Sequence, residues 1–314
     1  MNYCFHQILK ALTLFMSLVF VSNTYSQNSI KINTDNDMLS SDADKDYTGG
    51  LSIQYTRETN NVIDINYELG FLLFTPLDIE TKSIIKEDRP YASLIYLSSA
   101  KQREFKGGAI IQTITLGALG TAFPGDIQNE IHRSIKVATA KGWDNQISNG
   151  AEPTALYTII YKKPFLMTKY FETSYDCQLN LGYLTNLSTA VSFRAGLINS
   201  PWFINGQSEG KIGGSTDVNN TKTSRKREIY LYGGLNAKAV GYNVFLQGQF
   251  KNNPHELSSS QLRRFIIEGW LGIKVDVTSN FSLGYNHRVQ SSEAKAKLID
   301  RGFNWGSLNA TVIF

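Results

Sequence analysis

The side chains able to do chemistry crowd into residues 35–146. Asn36-Asp37 stands at the head of an oxygen-rich stretch that continues through Asp42, Asp44 and Asp46 to Thr48. The alternating aspartates imitate the start of an EF-hand, but Tyr47 fills the position that needs glycine and Ile53 the one that needs glutamate, so an EF-hand is rejected. The stretch then reads either as a less conventional Ca²⁺ site or as a solvated acidic loop. Gln128 and His132 are spaced to share one face of a helix. A histidine so placed is a general base suited to neutral pH or an ordinary packing residue. Between these groups lie Lys82, Lys86, Glu87, Asp88 and Arg89, whose cations are surface residues or phosphate partners. His255 and His287 have no comparable polar company.

These residues must be carried by strands. In 265–277, Phe265, Ile267, Leu271, Ile273 and Val275 alternate with Ile266, Glu268, Trp270, Lys274 and Asp276. In 171–183, Tyr175, Cys177, Leu179 and Leu181 oppose Ser174, Asp176, Gln178 and Asn180. Such lengths exceed the usual globular strand and match tilted strands crossing a bilayer. The chain ends WGSLNATVIF, an alternating segment with a terminal Phe314 like the assembly signal of bacterial outer-membrane proteins. The expected fold is all-β: a 12-stranded antiparallel transmembrane outer-membrane β-barrel with short helices in the outer loops.

Thirteen candidate strands are visible: 29–35, 48–57, 62–74, 90–101, 107–118, 153–164, 171–184, 188–198, 227–238, 241–251, 262–277, 280–289 and 304–314. Bacterial barrels have an even number. We expect 188–198 (STAVSFRAGLI) to be the one outside the wall, in a helical outer loop, because its alternation is poor. The outer loops are then 36–47, 75–89, 119–152, 185–226, 252–261 and 290–303. In the third, Ile127, Ile131 and Ile135 mark an apolar helical stripe, and this helix is expected over the barrel mouth.

Residues 1–26 (Lys10, an apolar run from Ala11 to Val21, then small polar residues) have the pattern of a secretory signal, so the expected mature domain is 27–314. Cys4 lies in the signal, which leaves Cys177 and no disulfide or cysteine zinc site. A charge of +4, with 18% charged residues, excludes a nucleic-acid-coating protein, so no nucleic-acid partner is expected.

Five segments in order make a resemblance: Asn36-Asp37; Asp46-Tyr47-Thr48-Gly49-Gly50; Asp88-Arg89-Pro90-Tyr91-Ala92; Gln128-Asn129 with His132-Arg133; and Gly142-Trp143 with Gln146. Together they resemble the outer-membrane lipid A 3′-O-deacylase family (LpxR-type lipid A deacylases). The resemblance implies Ca²⁺-dependent hydrolysis of the ester holding the 3′-acyloxyacyl chain of lipid A, at the outer-leaflet rim. It implies His132 as catalytic base, with Asp37, Asn36 and Thr48 in the catalytic set and Asn36 and Asp37 toward the metal. Substrate contacts are expected from Lys82, Arg89, Gln128 and Arg133. A helpful Lys-Arg pair of the family falls near Thr81-Lys82, where only Lys82 keeps the charge, and an acidic residue of one member corresponds to Ala138. Lipopolysaccharide, outer-membrane lipid and the barrel-assembly machinery, through the Phe314 strand, are the expected partners. The alternatives are an outer-membrane phospholipase or other lipid esterase, and a barrel serving as channel or scaffold.

Overall fold

The computed structural model describes residues 28–40, 45–58, 63–105, 107–200, 202 and 226–314. The expected signal segment 1–26, and Asp42 and Asp44, lie outside the described residues. Twelve strands follow one another in the wall: β1 (Asn28–Asn36), β2 (Asp46–Glu58), β3 (Ile63–Thr75), β4 (Ala92–Phe105), β5 (Gly108–Leu119), β6 (Glu152–Met167), β7 (Phe171–Gly182), β8 (Leu184–Leu197), β9 (Ile229–Asn243), β10 (Phe265–Asp276), β11 (Phe281–Gln290) and β12 (Phe303–Ile313). All neighbours are antiparallel, and β1 pairs with β12 to close the barrel. At the seam Asn28 and Phe314 exchange backbone hydrogen bonds of 2.8 and 2.9 Å. Period-2 alternation sorts the side chains. On β10, Phe265, Ile267 and Leu271 are exposed outward while Glu268 and Trp270 are buried inside. On β7, Cys177, Leu179 and Leu181 face out, and Asp176, Gln178 and Asn180 face in. Lipid requires the first face and tolerates no open strand edge, so the sequence closes.

The strand count agrees with the sequence, but the excluded segment was the wrong one. Residues 188–198 are not a helical outer loop. Residues 188–197 belong to β8, hydrogen-bonded between β7 and β9. Counted from Leu187, the outward positions Leu187, Val191 and Leu197 are exposed while Ser188, Ala190, Ser192 and Arg194 are buried, so small and charged residues line the lumen. The candidate that is not a separate strand is 241–251, whose first three residues finish β9. β9 ends at Asn243, whose side chain accepts from Phe245 N at 3.0 Å and starts a short helix α2 (Val244–Gln247). This exchange also moves the long connection: β8 ends and β9 begins at the end of the barrel that carries the termini, whereas β7 and β8 are joined at the other end through Tyr183 alone.

The outer end of the lumen is filled. Phe245 of α2 lies 4.6 Å from the Phe74 ring across the barrel on β3 and 6.0 Å from Tyr183, whose carbonyl accepts from Val244 N at 2.9 Å. Tyr47, Leu94, Leu156, Phe303 and Trp305 belong to the same buried cluster. Deeper in, charges are paired: Glu268 with Lys238 at 2.6 Å and with Arg288, and Arg194 with Glu172. Pairing is what makes charge tolerable in a packed interior.

Candidate active site

Helix α1 (Ala122–Ile135) carries Gln128 and His132 on its buried face, together with Pro124 and Gly125. It packs against β4 and β3. Its first turn places Phe123 edge-on to Phe71, an outward residue of β3, with ring centroids 6.3 Å apart. The helix therefore flanks the outer ends of β3 and β4 and does not lie across the mouth, which the aromatic cluster fills. Gly125 is required for this seat, since a Cβ there would come within 2.7 Å of the Trp143 ring.

The chain after α1 is folded back onto it. Lys136 adopts φ 62°, a left-handed cap that reverses direction. Asn129 then clasps the returning strand at two points: its Nδ2 donates to Ala140 O at 3.0 Å, and its Oδ1 accepts from Ala140 N at 2.7 Å. This brings the Ala138 carbonyl to His132 Nδ1 at 2.5 Å. A carbonyl oxygen only accepts, so Nδ1 carries the hydrogen and Nε2 the lone pair. At position 138 the imidazole is oriented by main chain, the Ala138 carbonyl, and not by a side chain.

One turn earlier, Gln128 Oε1 accepts from Trp143 Nε1 at 3.1 Å. Indole N–H only donates, which fixes the amide orientation and leaves buried Nε2 as a donor without a partner among the described residues. Trp143 is held in turn by Tyr91, with centroids 4.9 Å apart. Gln146 ties the loop to β4 by accepting from Ser93 Oγ at 2.8 Å.

Asn36, Asp37 and Thr48 meet at the outer ends of β1 and β2, where Asn36 is in register with Gly49. Asn36 caps a single 3-10 turn, Asp37–Leu39, accepting from Met38 N at 2.7 Å. Asp37 is buried, and its Oδ2 accepts from Lys45 N at 2.8 Å. Thr48 is the extra residue where the β2–β3 register shifts, and its hydroxyl lies 2.5 Å from that of Thr75 at the end of β3. Thr75 thus links Thr48 to β3, the strand that also seats α1, while the Asp37–Leu39 turn packs against β12 and β2. Lys82 is exposed in 76–91, with its carbonyl accepting from Asn145 Nδ2 at 2.8 Å. Arg133 is exposed and paired with Glu130 on the solvent side of α1.

Arg89 is placed elsewhere, inside the mouth. It is fully buried against Phe74, 4.8 Å from the ring centroid, and pairs with Glu293 and, at 3.7 Å, with Asp46. Burial pushes its guanidinium down to about 10, against the opposing pull of Asp46 and Asp88. Arg301 completes the network, reaching Asp46 through Nε at 3.0 Å and Nη2 at 3.1 Å, and Asp88 at 3.1 Å. Asp88 in turn accepts from Leu77 N at 2.7 Å. The network joins three outer loops and holds Asp46 at φ 64° beside Lys45, the residue that donates to Asp37. Sequence reading passed over Glu293 and Arg301. Their partners lie more than two hundred positions away, and no spacing rule connects them.

The comparisons agree with this architecture. The structure of LpxR from Salmonella typhimurium superimposes with a TM-score of 0.73 at 15% identity, covering 91% of this chain and 100% of that one. The KdgM porin (TM-score 0.42, 5% identity, 91% and 99% covered) and the translocator domain of the autotransporter NalP from Neisseria meningitidis (0.40, 8%, 98% and 96%) are also similar. No curated protein matches in sequence. The family described as outer membrane protein LpxR matches residues 8–314, which is nearly the whole chain. A closed barrel with a helix seated on β3 and β4, and a family match from end to end, therefore make this chain a member of the LpxR family of outer membrane proteins.

Proposed function

We propose that the protein is a lipid A deacylase of the outer membrane, a carboxylic ester hydrolase that removes the 3′-O-linked acyl chain. The observation that carries this reading is the pair on α1: a buried imidazole with its tautomer fixed by Ala138, and a buried amide donor on Gln128 one turn away. His132 Nε2 takes a proton from water as the water oxygen attacks the ester carbonyl. Gln128 Nε2–H donates to the carbonyl oxygen as it gains charge. Imidazolium then returns the proton to the departing sugar oxygen, giving a free fatty acid and a hydroxyl. No serine nucleophile is needed.

The donors of Asn36 and Asp37 are oxygens, one on a buried carboxylate, and this chemistry suits a hard cation such as Ca²⁺. The two residues would hold it, and bound Ca²⁺ supplies positive charge for a developing oxyanion. Thr48, bonded to Thr75, steadies the bulge at the outer end of β2. The filled lumen argues against the channel alternative.

Mass spectrometry of lipid A from cells producing the wild type, against cells producing His132→Ala, tests the proposal. Loss of one acyloxyacyl group only with the wild type is expected. Unchanged lipid A with free fatty acid released from phospholipid would favour a phospholipase.

A further inference from the structure

Helix α1 is turned the opposite way from an ordinary surface helix. Its buried residues include Gln128 and His132, while its large apolar side chains point out: Phe123 is 56% exposed, Ile131 52% and Ile135 51%. Val137, just beyond the cap, is exposed as well. Phe123, Ile127, Ile131 and Ile135 recur every four residues, one position off Gln128 and His132, so the ridge borders the buried face. The charged residues Asp126, Glu130 and Arg133 are exposed on the far side of the ridge. In water such a ridge is a liability that soluble surfaces avoid.

The ridge continues an apolar surface already in lipid. On the wall, outward Leu69 of β3 is in register with Leu97 of β4, and Leu97 with Leu116 of β5. One step toward the rim, Phe71 is in register with Ile95. Phe71 is the residue that Phe123 covers edge-on. The apolar strip thus runs without interruption from the bilayer-facing wall onto α1.

We infer that the exposed ridge of α1 is a lipid-contact surface, seated among the acyl chains of the outer leaflet that border β3–β5. The helix is an interfacial amphipathic element whose charged edge lies at headgroup level. Its membrane seat rests on the barrel. That it presents His132 to a laterally arriving acyl ester rests on the deacylase reading.

The test places nitroxide labels on the full chain in a Cys177→Ser background, reconstituted in vesicles of phosphatidylethanolamine and phosphatidylglycerol. Heat-modifiable gel mobility first shows that each variant is a folded barrel. Labels at Ile131→Cys and Ile135→Cys are expected to relax more with oxygen than with a water-soluble nickel complex, and a label at Glu130→Cys the reverse. Val137→Cys serves if either of the first two disturbs assembly. Nickel accessibility at 131 and 135 equal to that at 130 would overturn the proposal. So would spin–spin broadening there, which would mean that a second copy covers the ridge. A lipid signature in a protein that hydrolyses no lipid A leaves the surface standing and removes only the deacylase reading.

Discussion

His132 donates its Nδ1 hydrogen to the main-chain carbonyl of Ala138, six residues on. An orienting group on the backbone cannot be protonated, and a side-chain substitution at 138 does not delete it. His132→Ala is expected to leave the barrel assembled and to lower turnover by about 10²–10⁴, the range for losing a general base. His287→Ala, on the outward face of β11, is expected to change it little. Turnover of detergent-extracted, folded protein checks both. Wild-type turnover by His132→Ala would remove the base assignment.

Ala138→Asp is expected to keep most activity, since the carbonyl remains. Asn129→Ala removes the two-point clasp on Ala140 and frees that carbonyl to drift. Misplacement of this kind costs on the order of tenfold to a hundredfold in turnover, which is the fall expected for Asn129→Ala. Steady-state kinetics should show the loss mainly in kcat, with KM nearly unchanged.

Chelation with EGTA is expected to abolish activity, with added Ca²⁺ restoring it. Asp37→Asn is expected to raise the Ca²⁺ needed for half-activity, and to weaken terbium luminescence titrated into the folded protein. Full activity in EGTA would leave the Asn36–Asp37 pair as a structural cap of the 3-10 turn.

At the opposite end, burial raises the Glu228 carboxyl, but Lys274 at 2.9 Å and Ser200 outweigh it and leave the group below its usual 4.5. A lowered folded value means that its stabilisation is complete above pH 4.5 and is lost as pH falls through that lowered value. Glu228 accepts from Asn199 N at 3.1 Å and Ser200 N at 2.8 Å. Amide exchange at those two positions is expected to quicken at acid pH in the wild type. Glu228→Gln should show no such step when both are compared at the same pH.

Much of the wall was legible because lipid imposes a rule that each strand obeys locally. Outward Leu and Ile recur on β7 and β10 whatever the lumen holds. The rule failed where the lumen-facing residues were small, as at Ser188, Ala190 and Ser192, and where an apolar run, Val244-Phe245-Leu246, was helix folded into the lumen. The helix at 122–135 was legible from Ile127, Ile131 and Ile135, but a stripe reports period and not which way it faces. In the site, Gln128 and His132 could be paired by spacing alone. The cage of Asp46, Asp88, Arg89, Glu293 and Arg301 could not, because charge pairing across loops leaves no periodic trace. Arg89 read as a substrate cation for that reason.

The aromatic cluster made by Phe74, Tyr183, Phe245, Phe303 and Trp305 has a consequence for the cell. An outer membrane must exclude bile salts and antibiotics while its enzymes work within it. A barrel stoppered by its own side chains adds an outer-membrane protein without adding a hole, so its abundance can rise while the permeability barrier stays intact.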